Sequence, residues 1–158
     1  MAEMEIKQKM NPISSLVDVY PYRYVNDDIH FLLLHRSETQ IYGGQWRMIG
    51  GKVETNETHA QTAHREFMEE TGLQAKLKWV VPTINSFFDP QADSIRHIPV
   101  FAFECDDYIV RLNHEHDDCS WCNLTDAQEK VSWYEHKRII RLIHDILRSS
   151  GIMKEWVL

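Results

Sequence analysis

Residues 51–73 read GKVETNETHAQTAHREFMEETGL, a loop running into a helix with two unlike faces. Thr58 can cap the helix, and Gln61 three residues on completes a capping box. Gly72 supplies a left-handed stop. At 100° per residue, Ala60, Ala63, His64, Phe67, Met68 and Thr71 fall on one arc. That arc faces inward, and His64 is expected to pack there, partly buried. Glu66, Glu69 and Glu70 fall together on another arc.

Carboxylates at i, i+3 and i+4 lie within about 6 Å of one another. Alone they repel, which costs stability and raises their pKa values. A hard divalent cation reverses the sign, and Mg²⁺ takes oxygen ligands from one or two carboxylates plus substrate phosphates. Gly50 and Gly51, just ahead of the helix, let backbone approach the same spot. A charge run is more often only a solvated face. Here no cation stands four residues after Glu69 or Glu70, since residues 73 and 74 are Leu and Gln.

Outward from this stretch, residues 13–24 and 29–35 read as strands around an Asn26-Asp27-Asp28 turn. Residues 46–49 form a short apolar segment. Residues 77–81 and 84–88 read as strand segments broken by Pro82, and 97–104 as a strand whose Pro99 suggests an edge or a bulge. A polar loop over 113–118 precedes a short strand around Trp121. Residues 125–130 suggest one helical turn. A last helix starts near Ser132, with Glu135 as capping partner, and its Ile139, Ile140, Leu142, Ile143, Ile146 and Leu147 make an amphipathic stripe. Strands first, one helix in the middle and one at the end predict a mixed α/β domain with much antiparallel pairing.

The chain has 158 residues, enough for one domain, which we expect to run over 1–158 with residues 1–12 as a flexible tail. Its net charge of −7 argues against a basic face for nucleic acid. No run approaches the ~20 apolar residues of a membrane helix, and residues 1–11 lack the apolar centre of a secretory leader. Cys105, Cys119 and Cys122 are an odd count, so a reducing, cytoplasmic setting is expected. His114, His116, Cys119 and Cys122 have spacing that could hold zinc, but Cys119 and Cys122 should point to opposite faces of a strand.

The 51–73 stretch resembles the Nudix hydrolase signature: Gly, five residues, Glu, seven residues, Arg-Glu-apolar, any, Glu-Glu, any, Gly-apolar. Phe67 is its one mild departure, standing where an aliphatic residue is usual. The resemblance implies a Nudix α/β/α sandwich with a mixed, largely antiparallel sheet. It implies Mg²⁺- or Mn²⁺-dependent hydrolysis of a diphosphate linkage in a small phosphorylated molecule. Carried onto this chain, Glu69 and Glu70 look like the principal metal ligands, with the carbonyl of Gly50. Glu66 looks like a further ligand or the base, and Glu115 like a loop alternative for the base. Arg65 resembles the family's orienting arginine, Glu57 the residue tying loop to helix, and Gly51 and Gly72 the structural glycines of the box.

Arg36, Arg47 and Lys52 flank the site in sequence and could bind phosphates. Trp46, Phe87 and Phe88 could stack on a planar base. Asn85-Ser86-Phe87-Phe88-Asp89, Asp93, Pro99-Val100-Phe101-Ala102, Glu115-His116 and Trp121 resemble the branch acting on pterin or deoxynucleoside triphosphates, which yields a monophosphate and pyrophosphate. Pro90 is similar to a proline of the ADP-ribose branch, at too long a spacing, so that is the alternative. A catalytically inactive nucleotide-binding regulator is the alternative from another class; such modules commonly lack a box carboxylate, and this chain keeps all of them. Dimers are common in the family, which leaves a homodimer open.

Overall fold

The computed structural model describes residues 14–149 and 151–158. The expected tail over 1–12, and Ile13 at the start of the first expected strand, lie outside them.

The elements are β1 (Leu16–Val25), β2 (Asp28–Arg36), β3 (Trp46–Arg47), β4 (Ile49–Lys52), α1 (His59–Thr71), β5 (Ala75–Asp89), β6 (Ser94–Cys105), β7 (His116–Cys122), α2 (Leu124–Lys130), α3 (Tyr134–Arg148) and a 3₁₀ turn at Lys154–Trp156. The strands make one mixed sheet in the order β3-β2-β1-β6-β5, with β4 added to β1 and β7 to β2. Among these strand pairs β1 and β6 run parallel, in register from Asp18↔Val100 to Tyr22↔Glu104; the other named pairs are antiparallel.

Both faces of the sheet are covered, which explains the unbroken apolar run in β2. Alternation sends Phe31 and Leu33 to a core shared with Ile139, Ile140 and Ile143 of α3. Leu32 and Leu34 go to a core shared with Ala63 and Phe67 of α1. The same alternation separates the two cysteines of β7: Cys122 joins the first core and Cys119 packs on the second. All three cysteines are free.

The capping box at Thr58 and Gln61 forms reciprocally, and Gly72 ends α1 at φ 67°. Three expectations change, those for Pro82, for the start of the last helix and for His64, while Pro99 sits opposite a register slip as a bulge would place it. Pro82 does not break its strand: β5 runs through, and the ladder slips register between Val80 and Ile84 instead. Pro99 is paired on the β5 side, and pairing with β1 begins only at Val100, so its missing N–H costs no ladder bond there. Helix α3 starts at Tyr134 behind Trp133, without a side-chain cap; Glu135 binds Arg138 (2.9 Å) instead. His64 is exposed rather than packed, with Lys78 Nζ 2.7 Å from its Nδ1. Among the described residues, no helix is long and apolar enough to cross a membrane.

Candidate active site

The sheet places α1, the loop before β4 and the start of β7 around one cavity of about 460 Å³. Its construction begins with Arg65. The Arg65 guanidinium donates to Glu57 (2.7 and 3.0 Å), to Glu66 (2.9 Å), to Glu69 (3.3 Å) and to the Lys52 carbonyl (3.0 Å). One cation thus ties the loop to three acids of the box. Glu57 also accepts from the Thr62 hydroxyl (2.7 Å) and the Glu54 amide (3.1 Å). Arg65, foremost, and these two donors hold the Glu57 carboxyl down at about 2.

Gly51 is required by contact. A Cβ there would lie 2.2 to 2.4 Å from the Glu66 side chain. The Glu66 carboxylate therefore rests directly on the β4 backbone, next to the Gly50 carbonyl's strand.

Beyond Arg65 the acids diverge. Glu69 is exposed and does not line the cavity. Glu70 is 1% exposed, and its Oε2 is buried with no partner among the described residues. Burial first, then repulsion from Glu66 and Glu115, push the Glu70 carboxyl well above its ordinary value. Burial likewise raises that of Glu66. Glu115 reaches the same spot from the loop before β7. Its carbonyl accepts from the Ser37 amide (2.9 Å), and its carboxylate pairs with Arg36 (3.3 Å). Ligand atoms of Glu70, Glu115 and His116 all lie within 4.8 Å of one another. His116 is buried with Nδ1 unpartnered among the described residues, and burial lowers it to about 4, so it stays a neutral imidazole.

An oxygen-rich cluster with one imidazole, an orphaned carboxylate oxygen and mutual repulsion is a donor set suited to Mg²⁺ or Mn²⁺. Sequence spacing groups His116 with cysteines instead; of the acids it joins, Glu115 is its chain neighbour and Glu70 is distant in the chain.

Arg36, Arg47 and Lys52 all line the cavity. Arg47 lies over the rings of Tyr42 (4.7 Å) and Trp133 (5.2 Å), and its burial lowers its pKa. Of the three aromatics expected to stack on a base, only Phe87 lines the cavity, edge-on to Trp133 at 5.5 Å. Phe88 points to the other side of β5 and is exposed. Trp46 lies against His35 and under Lys130, outside the cavity. Trp133, His136, Asp18 and Asn85 also line it. None of Trp133, His136 and Asp18 had been singled out, although a lone acid in the apolar run Leu16-Val17-Asp18-Val19-Tyr20 was a usable signal.

A family profile described as the NUDIX domain matches residues 18–143. The chain is 31% identical over 104 residues to the CTP pyrophosphohydrolase of Escherichia coli, an alignment covering 65% of this chain and 73% of that protein. It is 29% identical over 128 residues to the asymmetrical bis(5'-nucleosyl)-tetraphosphatase of Mus musculus, covering 79% and 85%. Among solved structures, a NUDIX hydrolase from Listeria monocytogenes superposes with TM-score 0.73 at 23% identity, over 88% of this chain and 99% of that one. An Ap4A hydrolase from C. elegans superposes with TM-score 0.69 at 23% identity, over 86% and 98%. The chain belongs to the NUDIX family, as a hydrolase of phosphorus anhydrides.

Proposed function

We propose that the protein carries out Mg²⁺- or Mn²⁺-dependent hydrolysis of a nucleoside or pterin triphosphate, giving a monophosphate and pyrophosphate. The observation that carries this reading is the buried Glu70 carboxylate, unpartnered on one oxygen, beside Glu66, Glu115 and His116 on a cavity wall. Relatives named for CTP and bis-nucleosyl tetraphosphates support nucleotides as the substrate class.

Glu66, Glu69, Glu70 and the Gly50 carbonyl are the groups that would hold the divalent ion. Bound there, such an ion neutralises phosphate oxygens and acidifies a water. The remaining work falls to the chain's own residues. Arg36, Arg47 and Lys52 bind phosphate oxygens and orient the anhydride. Glu115, held by Arg36, takes the proton of the attacking water; Glu66 is the box alternative for this step. Arg65 stays a positioning residue, fixing Glu66 and Glu69 relative to the loop. We further propose one domain over the whole chain, acting in the cytoplasm, where three free cysteines persist.

The test is incubation with Mg²⁺ and a panel of nucleoside triphosphates and dihydroneopterin triphosphate, with products separated by anion exchange. Monophosphate plus pyrophosphate is expected. Release of orthophosphate alone, or undiminished hydrolysis in chelator, would overturn the reading.

A further inference from the structure

The cavity has a second group of polar residues, remote from α1. Asp18 leaves β1 on the same side as Tyr20 and Tyr22, the side covered by α3, because Val17 and Val19 belong to the opposite core. Asn85 is brought alongside by β5, with β6 between the two strands. The Asn85 Nδ2 donates to Asp18 Oδ2 at 2.7 Å. Only the amide's NH₂ can face a carboxylate, so this bond fixes the amide's orientation. The Asn85 Oδ1 is then turned away, buried and without a partner among the described residues. Asn85 is 2% exposed and Asp18 8% exposed, yet both line the cavity.

A buried carboxylate beside a buried amide is costly when left in this form. An apolar residue at position 18 would suit the strand better. Asp18 is not bonded to Arg47, the nearby cation whose charge it feels, among the described contacts. The pair leaves two acceptors without a hydrogen bond among the described residues, Asp18 Oδ1 and Asn85 Oδ1, against the one N–H that the Asn85 amide does not spend on Asp18. Phe87, two residues past Asn85, and Trp133 supply aromatic walls on the same side.

We propose that Asp18 and Asn85 recognise the 2-amino-4-oxopyrimidine edge of a substrate's ring, the edge shared by guanine and pterins. This rests on the nucleotide or pterin triphosphate reading above. That edge presents a ring N–H and an exocyclic NH₂ side by side, two donors for two acceptors. Adenine and cytosine place an acceptor nitrogen beside their amino group, and uracil has a single N–H between carbonyls. Each of these leaves an acceptor of the pair unsatisfied, and an unsatisfied buried group discriminates strongly. The aromatic walls add base stacking, which is tolerant of ring type and does not itself select.

Calorimetric titration in chelator, where turnover stops, tests this with GTP, ITP, ATP and dihydroneopterin triphosphate. GTP and ITP differ only in the 2-amino group. The wild type is expected to bind GTP at least about tenfold more tightly than ITP. The isosteric Asp18→Asn should narrow that gap to about threefold or less. Equal affinity of the wild type for GTP, ITP and ATP, or no measurable GTP binding, would overturn the assignment. The tighter of GTP and dihydroneopterin triphosphate identifies which ring carries the edge. A GTP–ITP gap in a protein that hydrolyses neither with Mg²⁺ would uphold the edge and remove the proposed reaction. Hydrolysis of all four without a gap would do the reverse.

Discussion

Glu57 and Glu70 are the same residue type within one signature, and the structure treats them oppositely. Glu57 is saturated: a guanidinium, a hydroxyl and an amide satisfy its oxygens and hold its carboxyl at about 2. Glu70 is buried, faces two other acids and keeps one oxygen unpartnered among the described residues. The first carboxylate makes the scaffold and the second is left available. The lesson is that a satisfied acid and an unsatisfied one, even close in sequence, report different duties.

The largest effect should come from removing the available acid. Glu70→Gln is expected to cut turnover at least ~100-fold. It should also raise the thermal midpoint of the metal-free protein, because a buried, mutually repelling charge is gone. Glu69→Gln should lose turnover comparably but leave that midpoint unmoved, since its side chain is exposed. Loss of activity with a lowered midpoint in Glu70→Gln would mean that the acid supports the fold. A second readout is ligand linkage: Mg²⁺ should raise the wild-type midpoint and not that of Glu70→Gln.

Gly51→Ala comes next. Its Cβ meets the flexible end of Glu66, not backbone. The fold should adjust and Glu66 should move, so we expect turnover to fall about tenfold with little change in midpoint. An unaltered turnover would show that the position of Glu66 is unimportant to the reaction.

Glu115→Gln should lower turnover about tenfold or more with KM nearly unchanged, as removal of a proton acceptor should. Unchanged turnover would assign proton removal to Glu66.

The smallest effect concerns the satisfied acid. Glu57 has a folded value of about 2 against an ordinary 4.5, so its contribution to stability is complete above 4.5. It is lost progressively as the pH falls toward 2. Glu57→Gln should therefore flatten the acid arm of the midpoint-against-pH curve in that window. An arm of undiminished slope would place the acid sensitivity elsewhere. His136 is the natural rival. Burial pulls it to about 3 from 6.5, so it too destabilises the fold as the pH drops, but from 6.5 downward.

Much of the box was legible before any coordinates. The capping box, the stop at Gly72 and the Arg65 clasp depend on residues a few positions apart, where helix geometry dictates distance. The amphipathic stripe of α3 and the opposite faces of Cys119 and Cys122 were equally local, set by periodicity. Errors arose where exposure depends on what packs above an element. His64 lies on the apolar arc, yet it is exposed and meets Lys78 instead of the core. Phe88 has the right chemistry for stacking and the wrong face of its strand, whereas Trp46 packs on the α3-side core, outside the cavity.

The sequence alone determined the family signature, the presence of a carboxylate-bearing helix and the residue types able to hold a divalent ion. Tertiary structure alone decided which acid is buried, that His116 joins it, and that Asp18 meets Asn85 across a separation of 67 residues. The reason is physical. Spacing along a helix or strand sets short distances through bond geometry, whereas burial and long-range pairing depend on the order of strands in the sheet and on the elements laid over it.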